Sequence, residues 1–226
     1  VAESTASTGP LIVRTKTELI RELLERDIIE GRRPPGSRIV LDEVARDLGV
    51  SKIPVREALM SLESQGLVVQ TPHTGPRVAP LSLREFRAIY LLREETEALV
   101  GRLAAASIDD ATIDEMRQVN DAMRAELGGD ATRLGNLNTE FHLAIARAST
   151  FESLVEAVSQ SLRTVRRYRA VVHSLATNWE TAVAEHEGVL AALQTRDPVE
   201  VERVIRAHVG SQRDFELADN AGDEPG

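Results

Sequence analysis

LDEVARDLGVSKIPVREALMSLESQGLVVQTPHTGPRV, residues 41–78, reads as helix, tight turn, helix and hairpin in direct succession. Leu41, Val44, Ala45 and Leu48 recur at helical spacing. Gly49 can take the left-handed backbone that ends a helix, and Ser51 stands where a cap for the next one belongs. A helix-turn-helix corner needs a small residue where the helices touch, a glycine at the turn and an apolar residue turned inward; Ala45, Gly49 and Val55 meet those needs. The second helix ends at Gly66, after which LVVQ reads as a strand, TPHTGP as a turn-rich loop and RVAP as a returning strand. The segment therefore predicts a winged helix.

The second helix carries side chains suited to reading a duplex. Ser51, Lys52, Val55 and Arg56 lie in its first two turns, the part that enters the major groove. Arg56 can bond guanine O6 and N7 with two prongs, and Lys52 can reach the same edge or a phosphate. Ser51 and the helix N-terminal amides suit a phosphate oxygen, while His73, Thr74, Gly75 and Arg77 fall where a wing tip grazes the backbone or minor groove.

A net charge of −9 runs against DNA binding until the chain is divided. Residues 1–80 hold 11 Lys and Arg against 11 Asp and Glu, so the whole deficit lies in residues 81–226. A neutral reading domain attracts DNA weakly, which predicts dependence on a dimer for adequate affinity. The sequence contains no Cys, which excludes a disulfide framework, a thiolate metal site and a cysteine nucleophile. No apolar run approaches the roughly 18 residues of a membrane span, and the start lacks the regions of a signal peptide. A soluble, cytoplasmic protein without membrane partners is the expectation.

TKTELIRELLERDIIEG, residues 15–31, predicts an amphipathic first helix with Leu19, Ile20, Leu23, Leu24 and Ile28 inward. Beyond Pro80 every segment reads as helix, at about 83–106, 109–127, 130–148, 151–173, 177–195 and 198–218, broken at SIDD, LGGD, AST, HSLAT and TRDP. The fold expected is mainly α, with a winged helix-turn-helix at 14–80 and an antiparallel all-helical bundle at 81–218. Residues 1–13 and 219–226 are expected to be disordered.

Three histidines of the bundle share faces with apolar residues: His142 with Leu134, Asn138 and Ile145, His186 with Val183, Val189 and Leu190, and His208 with Val204 and Ile205. One inward histidine is ordinarily core, whereas three on separate helices can surround a divalent ion. Arg93 follows Phe86, Ile89 and Tyr90 at helical spacing, so its stem is expected to be buried, with Glu97 one turn on or an effector as its partner. RRYR at 166–169 reads as a solvated face.

These motifs resemble the GntR family of bacterial transcriptional regulators. The resemblance rests on LDEVARDLGVSKIPVREALMSLESQGLV and the PHTG wing. R-x-x-T-E at 93–97, N-x-x-F-H at 138–142, E-H at 185–186 and His208 resemble its FadR subfamily, with an FCD ligand-binding domain. The resemblance covers residues 14–217 and implies a homodimer on an inverted-repeat operator, controlled by a small carboxylate metabolite. It also implies a divalent transition metal, zinc or nickel, on His142, His186 and His208, with Asn138 where the family has Asp and Arg93 facing the effector. Asn supplies a weaker oxygen and no charge, which predicts a weaker, effector-assisted metal site. Lys52 replaces a usual Arg, keeping the charge but losing the planar fork.

Two other readings remain open from the sequence. A hydrolytic zinc site would use the same three imidazoles, but no general base is evident, since Glu185 projects about 100° from His186 on a helix. An architectural DNA binder would carry the histidines as core filler. The chain is expected not to be an enzyme.

Overall fold

The computed structural model describes residues 14–71, 74–171 and 178–218. Two compact units share the chain: described residues up to Ile28 with Pro35–Ala79, and Ile29–Pro34 with the described residues from Pro80 onward.

The first unit contains α1 (Lys16–Ile29), α2 (Leu41–Asp47), α3 (Lys52–Ser64), β1 (Val68–Thr71) and β2 (Gly75–Val78). Its core joins Ile20, Leu24 and Ile28 of α1 to Val44 and Ala45 of α2 and to Val55, Ala58, Leu59 and Leu62 of α3. Leu19, expected inside, is half exposed, because the face α1 buries is centred on Ile20, Leu24 and Ile28. Gly49 takes φ +64°, and the Val50 N–H closes the turn on the Ala45 carbonyl at 2.9 Å. Left-handed backbone at this position is what the glycine permits.

β1 and β2 form an antiparallel hairpin with Val68 opposite Val78 and Thr71 opposite Gly75. The returning strand thus lies two residues earlier than RVAP suggested, since pairing runs toward the tip and Pro80 has no N–H to extend it. A third segment lies along β2, with Gly36 N–H on Val78 O, Val78 N–H on Ser37 O and Ile39 N–H on Pro76 O, each 2.9 Å. These bonds give the wing a base of three paired segments.

The second unit is built from α4 (Leu83–Ala104), α5 (Asp110–Ala125), α6 (Ala131–Ala148), α7 (Glu152–Val171), α8 (Trp179–Thr195) and α9 (Pro198–Ala218). The bounds that fall among the described residues lie within two residues of those read from the sequence; the expected end of α7 at 173 and the HSLAT break lie outside them. Side-chain oxygens of Asp109, Asp130 and Asn178 accept backbone N–H groups at the starts of α5, α6 and α8, at 2.8–3.0 Å. α4 packs against α6, α7 and α9 and buries Phe86, Tyr90, Arg93, Glu97, Ala98 and Val100. Gly101 lets α9 close on α4, for a Cβ there would stand 2.2 Å from Ile205 Cδ1. Among the described residues no helix is long and apolar enough to cross a membrane.

RRYR is not a solvated face. Arg167 and Tyr168 are buried, and Arg169 holds the buried Glu216 through its Nε at 2.8 Å and sits over the Trp179 ring at 5.0 Å. On α7, Arg167 and Tyr168 are turned against neighbouring helices, and Arg169 finds on α9 a partner that the sequence spacing does not show. Tyr168 also stacks on Phe86, with centroids 4.4 Å apart, and its hydroxyl bonds both the N–H and the carbonyl of Ser82, the residue that caps α4. Tyr168→Phe keeps the stack and removes both bonds, so it is expected to cost about 1–2 kcal/mol, read as a lower urea midpoint at unchanged slope.

Candidate functional site

On the winged helix, Ser51, Lys52 and Arg56 are exposed as expected. Ser51 occupies the N-cap position of α3 with extended backbone, but its side chain makes no capping bond, which leaves the hydroxyl to face outward. Lys52 pairs with Asp42 at 2.8 Å in an exposed contact that a phosphate can displace at little cost. Val55 is a correction. It is fully buried among α1 and α2, so it holds the helix in place and cannot touch a base. The apolar residues that α3 does present outward are Ile53 and Met60, which sequence reasoning passed over. Thr74 and Gly75 stand at the start of β2, half-buried, while Arg77 turns its guanidinium onto the Gly36 carbonyl at 2.9 Å and so braces the wing base. His73 lies outside the described residues.

In the helical unit α6, α8 and α9 bring His142, His186 and His208 together, all buried, with one ring nitrogen from each within 4.8 Å of the others. The hydrogen bonds decide which nitrogen that is. Glu97 Oε2 accepts from His142 Nδ1 at 2.6 Å, and Glu185 Oε2 from His208 Nδ1 at 2.8 Å. Asn120 spends its amide N–H groups on Val183 O and Glu187 Oε1, so its Oδ1 is left to accept from His186 Nδ1 at 3.1 Å. All three imidazoles therefore carry their proton on Nδ1 and turn an Nε2 lone pair to a common centre.

The Nε2 atoms of His142 and His208 stand 3.4 Å apart, and His186 Nε2 has no hydrogen-bond partner. Two ligand nitrogens at about 2.0–2.1 Å on a tetrahedral ion are separated by about 3.3–3.4 Å, so the His142–His208 pair has the spacing a divalent metal needs, with His186 inside 4.8 Å of both. Burial pushes the His142 imidazole down to about 4 against the opposing pull of Glu97, and holds His186 far below the ordinary histidine value. Both imidazoles are neutral at neutral pH. Phe141 stacks on His186 at 3.8 Å and closes one side of the group.

Glu97 is the hinge of the charge arrangement. Burial raises its carboxyl, but Arg93 and His142 outweigh that and keep it well below the usual carboxylate range. Arg93 is 1% exposed and donates from Nε to Glu97 Oε1 at 2.7 Å, while its Nη1 is buried without a partner. Asn138 is buried one turn before His142 on α6. The sequence pointed to Arg93, Glu97, Asn138 and the three histidines; it missed Asn120, and Glu185 supports His208 rather than its neighbour His186. Both carboxylates are thus committed to orienting rings, which leaves neither placed as the base of a hydrolase.

A winged helix joined to an all-helical domain around a buried polar centre defines a transcription regulator with a DNA-binding head and a separate helical domain. The chain belongs to the GntR family of bacterial regulatory proteins, which residues 16–78 match, and carries an FCD domain over residues 88–211. It is 30% identical over 96% of both chains to a probable D-xylose utilization operon transcriptional repressor of Paenarthrobacter nicotinovorans. It is 27% identical over 84% of both to the repressor RspR of Escherichia coli. The structure of E. coli McbR/YncC superposes with a TM-score of 0.79, covering 92% of this chain and all of that one at 22% identity, and shares its fold. These relatives are regulators of transcription, not enzymes.

Proposed function

We propose that this regulator works as a homodimer on an inverted-repeat operator and senses a small carboxylate metabolite through a divalent transition metal held by His142, His186 and His208. The observation that carries this reading is the gathering of three buried imidazoles, one ring nitrogen of each within 4.8 Å of the others, in a unit that also buries an unpartnered Arg93 Nη1. A bound metal supplies a Lewis acid to which an anion can bind. The protein residues do the rest: Glu97, Glu185 and Asn120 orient the imidazoles, and Arg93 presents a donor for an anion's second oxygen.

Asn138 stands where the family motif carries Asp, which leaves the metal's own shell at about +2. Glu97 and Glu185 each place a negative charge behind a ring, and Arg93 returns one positive charge, so the whole site with metal carries about +1. Such a site binds metal more weakly than one with an Asp ligand and gains from an added anion. Elemental analysis of the chelator-free protein is expected to give about one metal per chain, lost in His208→Ala. Nickel titrated in acetate is expected to bind at least about fivefold more tightly than without acetate, and Asn138→Asp to remove that dependence. A parent without metal under both conditions, or one that binds nickel equally tightly without any anion, overturns the reading.

A further inference from the structure

The reading helix presents an exposed apolar residue beside its cations. Ile53 is 69% exposed and Met60 61%, while the face behind them packs Val55, Ala58, Leu59 and Leu62 into the core. At about 100° per residue, Ile53, Arg56 and Met60 lie on one stripe, with Lys52 on the Arg56 side. Glu57, on the other side, accepts the Thr17 hydroxyl at 2.9 Å. A large β-branched side chain exposed in the first turn of a helix gains nothing for the fold. Arg56 and Lys52 stand on one side of it, with charges that suit a phosphate-lined groove, and its branched end offers methyl groups at the depth where helix N-termini meet base edges.

The major groove offers one apolar group at that depth, the C5-methyl of thymine. We infer that Ile53 reads a thymine methyl in each half-site, next to the base bonded by Arg56. The inference rests on the DNA-reading role of α3. Neighbouring side chains on one stripe address adjacent base pairs, so the residue pair specifies a guanine and a thymine side by side. Ile53 adds discrimination through shape and burial, and Arg56 adds it through hydrogen bonds. A stiff β-branched side chain is suited to this, because it loses little rotamer freedom when the methyl packs against it. Met60 stands two turns farther along the helix, about 10 Å from Ile53, and so addresses a different part of the groove.

The test begins with selection of duplexes from a random-sequence pool by the full chain at fixed salt. Each enriched thymine is then replaced by deoxyuridine, which deletes the methyl and leaves the hydrogen-bonding edge unchanged. One such replacement, made in a single half-site, is expected to weaken the parent about three- to fivefold, as suits loss of one buried methyl, and to leave Ile53→Ala unaffected. The Ile53→Ala protein should also enrich sites in which that position is no longer restricted to thymine. Indifference of the parent to uracil at every enriched thymine overturns the inference. So does an undiminished uracil loss in Ile53→Ala, or a loss that vanishes only in Met60→Ala. Enrichment of no sequence by the parent would overturn the sequence-reading role of α3 itself, an outcome separate from these.

Discussion

Arg56→Ala is expected to bring operator binding down to the level of random duplex. Arg56 is exposed on the outward stripe of α3, and a two-pronged contact to guanine accounts for about 1–3 kcal/mol of discrimination, a factor of about 5–150. A dimer loses that factor in each half-site, so the product runs from about 25 to about 20,000. The upper part of that range reaches the margin that commonly separates specific from non-specific binding. The winged unit has no surplus of positive charge to hold DNA when specific contacts are gone, because its Lys and Arg are balanced by Asp and Glu. The measurement is a titration by fluorescence anisotropy on operator and scrambled duplex at one salt concentration. Arg56→Lys separates the two parts of the effect, since it keeps the charge and loses the planar fork. It should retain binding to scrambled duplex while losing most preference for the operator. Thermal stability should be unchanged in both variants, and an Arg56→Ala protein with parental operator affinity would show that guanine is read elsewhere.

Arg93→Ala is expected to destabilise the helical domain by about 3–5 kcal/mol, the cost of leaving a buried partner charge uncompensated. Arg93 and Glu97 are 1% and 2% exposed and make their contact across one helical turn at 2.7 Å. Glu97 is in turn the acceptor of His142 Nδ1, so the loss reaches the histidine centre and cannot be confined to effector contact. Equilibrium urea denaturation checks this directly, and an unchanged midpoint would mean that Glu97 is not held ionised by Arg93. A protein so weakened is a poor instrument for asking whether Arg93 touches an effector. Arg93→Lys is the better one, because it retains a cation for Glu97 while removing the guanidinium Nη1 that stands buried without a partner. Its expected signature is a smaller loss of stability together with weaker acetate enhancement of nickel binding.

Much of this site was legible in the chain because helices impose a period. His142, His186 and His208 each shared a face with apolar residues, and all three are inward. Arg93 and Glu97 are one turn apart, and the pair forms. Partners from other helices were not legible. Asn120 reaches His186 across 66 residues of sequence, and Glu185 serves a histidine on α9 rather than the one beside it. No periodicity within one helix predicts which residue of another will face it. The third segment of the wing, Gly36–Ile39, escaped for the same reason, since its hydrogen bonds are all to β2.

The sequence by itself determined the elements: the helix bounds in the second unit, the Gly49 corner, the hairpin and the inward histidines follow from spacing, capping residues and glycine, which act over a few residues. Tertiary structure alone decided that Ile53 stands outward on α3, what the RRYR run of α7 meets, and the tautomers of the histidines. Val55 and Ile53 are two positions apart on α3, and only the direction from which α1 and α2 pack against that helix sends the first inside and the second to solvent. Burial turned RRYR from a surface feature into internal pairing and made the imidazole protons answer to Glu97, Asn120 and Glu185. Local chain chemistry sets where a helix begins and ends; the angle at which helices dock sets what each side chain meets.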